Sequence, residues 1–221
     1  METKTIPSYN EGLESLVGQL SEMLPANALE TFNKDAKQLA VNHISPLKLN
    51  AGDKAPLFSL SNAVGEIVDL AEVLKKASVV LTFYRGTWCP YCNLQLNLYQ
   101  QILPEIKELG ATLVAISPQT PDASLNMKEK NELKFEVLSD NGNIVAKQFT
   151  TVFRNADEPV NAMTELGIDF DSHYGDNSRE IPVPAVFIIN QKGIITFAHS
   201  EGGDYRHRVE PKKILDALKG N

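Results

Sequence analysis

Cysteine is scarce in this sequence, which contains only two cysteines among 221 residues, together with four histidines and one tryptophan. A small secreted fold held together by disulfides needs several cysteine pairs, so that class is excluded. A structural zinc site needs about four ligands, and the histidines are too scattered to complete one: His43, His173, His199 and His207. A chemistry that needs only two cysteines is therefore favoured.

Long apolar runs and an excess of positive charge are also lacking. No stretch approaches the roughly 20 apolar residues of a membrane-spanning helix, and the start, METKTIPSYNEG, lacks the basic-then-apolar order of a secretory signal. The 21 Lys and Arg against 28 Asp and Glu give a formal charge of -7, which disfavours binding to nucleic acid or to an anionic membrane. We therefore expect a cytoplasmic protein whose partners are small molecules or other proteins.

The chain changes character near residue 47. Before it, in residues 9–44, apolar side chains recur at helical spacing on both sides of Pro25, which predicts two amphipathic helices. Two roles are open for these helices: docking on the main domain, which we favour, or a contact in a homodimer. We predict an N-terminal helical extension at residues 1–47 and a main domain at residues 48–221.

In the main domain, short apolar runs alternate with turn residues and helical patterns. Buried strands are predicted at residues 79–84, 111–117 and 135–140, and a helix between the first two makes a parallel crossover. The other predicted elements are a hairpin near 58–65, helices at 70–76, 121–132, 142–150 and 209–219, and an antiparallel strand pair at 185–190 and 194–198. The result is a mixed α/β sheet covered by helices on both sides.

Both cysteines follow the first of these strands directly, in the stretch FYRGTWCPYC at residues 83–92. Reactive groups in open α/β sheets collect at the carboxyl ends of strands, and a thiol at a helix N-terminus is favoured as thiolate. Pro90 suits the first turn of that helix and stiffens it, so Cys89 and Cys92 can face one another. A reversible dithiol–disulfide pair is the favoured chemistry, with half a zinc site or two inert cysteines as alternatives.

The loop Trp88-Cys89-Pro90-Tyr91-Cys92 resembles the redox loop of the thioredoxin superfamily, and its CPYC is similar to that of glutaredoxins. A longer frame resembles the alkyl hydroperoxide reductase and thiol-specific antioxidant (AhpC/TSA) family, the peroxiredoxins. The resembling segments are GDKAPLFSL (52–60), VVLTFYRGTWCPYC (79–92) and AISPQTPDASLNMKEKNELKFEVLSDNGNIVAKQF (115–149). The resemblance covers roughly residues 49–200 and implies a thioredoxin-like fold, a thiol-dependent reaction with hydroperoxides, and no metal or organic cofactor.

The two relatives imply different attacking sulfurs. On the peroxiredoxin pattern P-x-x-x-[T/S]-x-x-C, Cys92 takes the peroxide-reacting position, Cys89 that of the threonine and Arg85 that of the proline. On the thioredoxin pattern W-C-x-x-C, Cys89 attacks and Cys92 resolves. A large disulfide substrate favours Cys89, the more accessible sulfur, whereas a small peroxide can reach either.

The chain departs from peroxiredoxins just before its late strand, where the family's arginine is replaced by Pro184. Thioredoxin-like reductases place a cis-proline there, facing the cysteine loop, and VPAVF (183–187) fits this pattern. We therefore predict a cis Pro184, with Val183 beside the substrate; an ordinary loop proline is the alternative. Arg85 is the candidate to supply the missing guanidinium, by lowering a thiolate pKa or orienting a peroxide oxygen; a solvent-facing arginine is the alternative.

The remaining candidates surround the cysteines. Thr87 is expected either to donate a hydrogen bond to a sulfur or to cap the following helix. Trp88, with Pro90 and Tyr91, is expected to form an apolar platform for the substrate or to pack against the core. Residues 205–208 are expected to be a solvated helix start.

These observations predict a peroxiredoxin-like enzyme. One thiolate reduces a hydroperoxide and becomes a sulfenic acid, and the other cysteine condenses with it to a disulfide. Thioredoxin or glutathione then restores the dithiol. A thiol–disulfide oxidoreductase that reduces protein disulfides is one alternative, and a redox-sensing module that binds a partner through the amino-terminal helices is the other.

Overall fold

A computed structural model describes residues 5–220 of the chain. The strands in these residues are β1 (Ser59–Asn62), β2 (Ile67–Asp69), β3 (Ser78–Phe83), β4 (Ala111–Ser117), β5 (Glu136–Ser139), β6 (Val152–Arg154), β7 (Glu180–Pro182), β8 (Ala185–Ile189) and β9 (Ile195–His199). The helices are α1 (Tyr9–Met23), α2 (Ala26–Asn42), α3 (Leu70–Leu74), α4 (Pro90–Gln101), α5 (Leu103–Glu108), α6 (Pro121–Lys130), α7 (Ala146–Phe149), α8 (Asp157–Glu165) and α9 (Pro211–Lys219). None of these helices is long and apolar enough to cross a bilayer.

Seven of the strands form the central sheet, in the order β2-β1-β5-β4-β3-β8-β9. β3, β4 and β5 are parallel neighbours, whereas β8, β9, β1 and β2 pair antiparallel. The predicted parallel crossover between β3 and β4 and the predicted hairpin of β8 and β9 are both confirmed. β6 and β7 form a separate antiparallel pair.

The central strands are buried on both faces, because helices cover the sheet on each side. Successive side chains of a strand point to opposite faces, so Val80 packs with α4, α5 and α9, while Val79 and Leu81 pack with α3 and α7. The side chains of Val79, Val80 and Leu81 are each 0% exposed. This is why the sequence shows continuous apolar runs rather than alternation here.

Three elements differ from the sequence-based expectation. The single helix predicted after the cysteines is two helices, since Pro104 in the first turn of α5 cannot continue the hydrogen bonding of α4. The helix predicted at 142–150 begins only at Ala146, because Gly142 and Asn143 have positive φ values of 75° and 57°. Residues 151–182, for which no element was predicted, contain β6, α8 and β7.

The two amino-terminal helices are present as predicted and dock on the main body. Tyr9, at the start of α1, is 0% exposed, and its hydroxyl donates a hydrogen bond to the Arg206 carbonyl at 2.7 Å. Ala36 and Leu39 of α2 pack against Tyr205. Residues 1–4 of the predicted extension lie outside the described residues. Both helices therefore lie against the segment that precedes α9.

Candidate active site

The two cysteines lie where β3 ends and α4 begins. Cys89 is the N-cap residue of α4, and Pro90 is its first residue, where a missing N–H costs nothing because the first N–H groups have no intrahelical partner. The side chains are buried, with 1% of Cys89 and 0% of Cys92 exposed, and both are free thiols. The loop thus places two reducing equivalents at one buried point.

Cys92 is the sulfur of the pair at which ionisation is favoured. Burial by itself raises the pKa of this thiol, but polar contacts outweigh burial and hold the pKa well below its ordinary value. The Cys89 thiol donates a hydrogen bond to the Cys92 sulfur, and so does the backbone N–H of Arg85. The Arg208 guanidinium supplies a positive charge and a further hydrogen bond, with Nη2 at 3.5 Å from Sγ. The nucleophilic form, the thiolate, is therefore favoured at Cys92.

At Cys89 the thiol form is favoured. Burial raises the pKa of its thiol, and the neighbouring Cys92 raises it further because the hydrogen bond and a second negative charge both oppose ionisation. The positive charges of Arg85 and Arg208 lower this pKa by less. The two thiols therefore differ in pKa, with the thiolate favoured at Cys92 and the thiol, a hydrogen-bond donor, favoured at Cys89.

Arg208 is the residue that sequence reasoning missed. The expectation that residues 205–208 are a solvated helix start is wrong, since Tyr205 is 5% and Arg208 4% exposed. A buried arginine needs partners for its donors, and these partners are distant in sequence. The one available signal is that Arg208 directly precedes Val209, the first apolar residue of the predicted final helix.

The Arg208 guanidinium is held in one orientation by its other donors. Nε donates to Gln95 Oε1 at 3.1 Å, and Nη1 donates to the carbonyl oxygens of Tyr205 and His207. Because the guanidinium is planar and rigid, these bonds also fix the direction of Nη2 toward Cys92.

Arg85 is buried next to the cysteines, so the solvent-facing alternative is wrong. It is 2% exposed, and its guanidinium carbon lies 4.8 Å from the Trp88 ring centroid and 3.9 Å from that of Tyr205. Nη2 makes a long hydrogen bond of 3.5 Å to Asn155 Oδ1, and Nε has no hydrogen-bond partner among the described residues. The aromatic faces stabilise the positive charge of the guanidinium, and its Nε can still donate a hydrogen bond to another group.

Thr87 ties the loop to its surroundings rather than to a sulfur. Its backbone N–H donates to Gln119 Oε1 at 2.8 Å, and its hydroxyl lies 3.1 Å from both Gln119 Oε1 and the Ala123 carbonyl oxygen. Among the described residues, neither expected contact of Thr87 is present, because these oxygens take its hydroxyl and Cys89 occupies the N-cap position.

Trp88 connects the loop to the segment before β7. Its Nε1 donates to the Tyr174 hydroxyl at 2.8 Å, and that hydroxyl donates to the Arg85 carbonyl at 3.0 Å. The indole also packs against Phe170, with ring centroids 5.2 Å apart. A side chain at Gly86 would place its Cβ 2.6 Å from Trp88 Nε1, so the turn requires glycine.

Val183 and Pro184 do not join this cluster. The predicted cis-proline is wrong, since residues 5–220 contain no cis peptide bond. Thr151 and Thr150 hold Val183 by hydrogen bonds of 2.8 and 3.1 Å to its N–H and carbonyl, so the chain runs extended from β7 into β8. The trans form that X–Pro bonds prefer fits this path.

A cavity of about 250 Å³ reaches Cys89, and we call it the Cys89 cavity. Its apolar walls come from three helices and the residue that caps the first: Leu20 of α1 and its C-cap Leu24, Leu29 and Phe32 of α2, and Pro159 and Met163 of α8. Arg85, Trp88, Pro90 and Tyr91 also line it, so five predicted site residues share one chamber. Cys92, Val183 and Pro184 are not among the lining residues.

Comparison with known proteins assigns this chain to a family. The family model of the AhpC/TSA family matches residues 51–198. The putative peroxiredoxin bcp of Coxiella burnetii is 30% identical over 103 residues, 47% of this chain and 68% of the relative. Peroxiredoxin Bcp of Escherichia coli K12 is 35% identical over 106 residues, 48% of this chain and 66% of the relative. The chloroplastic peroxiredoxin Q of Populus jackii is 25% identical over 169 residues, 76% of this chain and 66% of the relative.

Each match spans only about two thirds of the relative's own length. Solved structures agree in fold. Peroxidoxin BcpB of Mycobacterium tuberculosis superposes with a TM-score of 0.61 and 22% identity over 78% of this chain and 97% of that chain. A mutant of PrxQ from Xylella fastidiosa superposes with a TM-score of 0.61 and 17% identity, over 78% of this chain and 96% of that chain. The predicted thioredoxin-like fold is thereby confirmed, and the match over residues 51–198 shows that the chain belongs to the AhpC/TSA family.

Proposed function

We propose that this chain reduces hydroperoxides at Cys92 through a dithiol–disulfide cycle with Cys89. The observation that carries the proposal is the Arg208 guanidinium, whose Nη2 lies 3.5 Å from the Cys92 sulfur. A positive charge at this distance in a buried site favours the thiolate, which is the form that attacks a peroxide oxygen. The relatives named peroxiredoxin support the same reaction class.

The first step makes one bond and breaks one. The Cys92 thiolate attacks a peroxide oxygen, the S–O bond forms, the O–O bond breaks, and Cys92 becomes a sulfenic acid. The other oxygen takes a proton and leaves as water or an alcohol. Arg85, with its free Nε donor and its place in the Cys89 cavity, is positioned to stabilise the charge on that oxygen.

The second step closes the disulfide. The Cys89 thiol attacks the sulfenic sulfur of Cys92, the S–S bond forms and water leaves. Two electrons have then passed from the dithiol to the peroxide.

An external thiol system, thioredoxin or glutathione, restores the dithiol. Its first thiolate attacks Cys89, the sulfur that lines the cavity, and Cys92 leaves. A sulfur of low pKa is the better leaving group in thiol–disulfide exchange. This scheme assigns residues 48–221 to the redox domain and residues 1–47 to an extension, whose helices α1 and α2 line the cavity. A homodimer contact stays a prediction.

Reduction of protein disulfides is the second candidate, favoured by the position of Cys89 in the cavity. That reaction needs Cys89 as the attacking thiolate, and its raised pKa opposes this. The redox-sensing role stays a third prediction. Equal size-exclusion profiles of the oxidised and reduced protein would be evidence against it.

The test is a stopped-flow reaction of the reduced protein with hydrogen peroxide, followed by Trp88 fluorescence. We expect a rate constant of about 10⁴ per molar per second or more. Cys92→Ser should abolish the reaction, whereas Cys89→Ser should form a sulfenic acid that dimedone traps. A wild-type rate near that of a free thiol would exclude the peroxidase, and loss only in Cys89→Ser would name Cys89 as the attacking sulfur.

A further inference from the structure

Asp35 is a carboxylic acid on the apolar side of α2. It lies three residues after Phe32 and four before Leu39, so these three side chains share one helix face. That face packs on the main body, and Asp35 lines the Cys89 cavity together with Phe32 and Arg85. A carboxyl on such a face loses hydration when it is buried against apolar side chains, which costs free energy unless polar partners compensate. A cost of this kind points to a role for the group.

The Asp35 carboxyl has an unused oxygen inside the protein. Oδ2 is buried and has no hydrogen-bond partner among the described residues. Burial raises the pKa of this carboxyl, and Glu158 raises it further, although the Arg85 charge and the Tyr205 hydroxyl act in the opposite direction. The protonated form, which can donate, is therefore favoured relative to an ordinary aspartate.

Peroxide reduction at the cysteine pair requires a proton donor on the side of the departing oxygen, and the Cys89 cavity is the space that adjoins the pair. When the Cys92 thiolate breaks the O–O bond of an alkyl hydroperoxide, the departing oxygen is an alkoxide, which is a strong base and a poor leaving group. The apolar side chains that form most of the cavity wall have no proton to give, so a positioned acid would protonate that oxygen as it leaves.

We propose that Asp35 is a catalytic residue of this reaction, and that its carboxyl donates the proton to the departing oxygen. The proposal rests on the proposed function and adds a general acid supplied by the extension, outside the part of the chain that matches the family model. Arg85 faces the same oxygen as a charge partner, so the two side chains have separate tasks.

The protons balance over the cycle. The S–O bond forms, the alcohol leaves with the Asp35 proton, and Asp35 becomes a carboxylate. Closing the disulfide releases water and leaves Asp35 unchanged. When two external thiols reduce the disulfide, Cys89 regains its proton and Cys92 leaves as thiolate, so one proton remains and restores the Asp35 carboxyl.

The leaving group provides the test. An alkyl hydroperoxide such as cumene hydroperoxide expels an alkoxide, whereas a peracid such as peracetic acid expels a carboxylate, which needs no proton. General acids contribute about 10²- to 10⁴-fold, so we expect Asp35→Asn to slow oxidation by cumene hydroperoxide by about 10²-fold and oxidation by peracetic acid by less than about threefold. Stopped-flow Trp88 fluorescence measures both rates on the full chain.

Glu30→Gln is the matched control. Glu30 is an exposed acid on α2 itself, and it does not line the Cys89 cavity. We expect this variant to react with both peroxides like the wild type. If Asp35→Asn slows both peroxides equally, Asp35 has a structural role and the inference is wrong, while the peroxidase stands.

The wild type alone gives an independent readout if Asp35→Asn does not fold. The groups that face Asp35 are Arg85 from the cysteine loop, Tyr205 from the segment before α9 and Glu158 from α8, and the raised pKa places its titration above that of an ordinary aspartate. From acidic to neutral pH, the ratio of the cumene hydroperoxide rate to the peracetic acid rate should fall as Asp35 ionises. A constant ratio overturns the inference, and slow reaction with both peroxides overturns the proposed function instead.

Discussion

Nη2 of Arg208 lies 3.5 Å from Sγ of Cys92, although the two residues are 116 positions apart in the chain. The guanidinium expected just before β8 is absent, because Pro184 stands there. Instead, the segment before α9 places the Arg208 guanidinium beside the Cys92 sulfur. The proposed chemistry therefore depends on how this segment is held.

Replacing Arg208 should weaken the ionisation of Cys92. Arg208→Gln removes a positive charge and a donor from the sulfur, so the pKa of Cys92 should rise. The wild-type rate with peroxide should persist into acidic pH and fall only as the lowered pKa is passed, whereas in Arg208→Gln the fall should begin at higher pH. At mildly acidic pH we expect a loss of about 10²-fold.

The measurement is a titration of thiolate absorbance together with stopped-flow rates. Arg206→Gln is the control, since Arg206 pairs with Asp204 at 2.6 Å and makes no described contact with Cys92. Equal pH profiles for wild type and Arg208→Gln would show that Arg208 does not set the charge of the sulfur.

The Tyr174 hydroxyl should stabilise the cysteine loop. It accepts from Trp88 Nε1 at 2.8 Å and donates to the Arg85 carbonyl at 3.0 Å. Tyr174→Phe removes both bonds and leaves their partners unsatisfied, so we expect a loss of about 1–3 kcal/mol in the free energy of unfolding. Chemical denaturation measures the loss, and the Trp88 emission of the native state should shift as the indole loses its acceptor. Unchanged stability would contradict this assignment.

Gly203 should be required for the docking of α2. A Cβ at this position would lie 2.0 Å from the Leu39 carbonyl oxygen, a backbone atom that cannot move aside cheaply. We expect Gly203→Ala to cost about 3 kcal/mol of stability and to accelerate alkylation of Cys89 by iodoacetamide.

Gly18→Ala is the matched control in α1, because nothing lies within 4 Å of its Cβ position. An alanine in an exposed helix interior is favoured over glycine by about 0.5–1 kcal/mol, so this variant should be more stable than the wild type. Equal alkylation rates in Gly203→Ala and wild type would show that α2 does not cover the sulfur.

The sequence predicts the elements whose pattern is local. β3 and β4 are continuous apolar runs, α1 and α2 have helical spacing around Pro25, and the cysteine loop follows β3 directly. Each of these is decided by residues within a few turns of one another. The thioredoxin-like core and the position of the sulfurs could therefore be predicted.

The charges of the site could not be predicted in this way. Arg208 is buried only because Gln95, Cys92 and two carbonyls accept its donors, and Asp35 faces the cavity only because α2 packs against Tyr205. Both depend on contacts between distant segments. A polar residue next to an apolar helix face has the same local pattern whether it points to solvent or into a cavity.

The last prediction concerns Glu210, which anchors the start of α1. Its carboxylate accepts hydrogen bonds from the N–H groups of Tyr9 and Asn10 at 2.7 and 3.0 Å and from the Ser8 hydroxyl at 3.3 Å. A carboxylate at a helix N-terminus satisfies orphan donors and complements the positive end of the helix dipole. Because Leu20 of α1 and its C-cap residue Leu24 line the Cys89 cavity, a weakened anchor should open that cavity. Glu210→Gln should raise the hydrogen-exchange rate of α1 and the alkylation rate of Cys89 by about threefold to tenfold, since the lost anchor is worth about 1 kcal/mol. Glu14→Gln, an exposed change on α1 itself, should alter neither rate, and an effect there equal to that of Glu210→Gln would exclude the anchor as the cause.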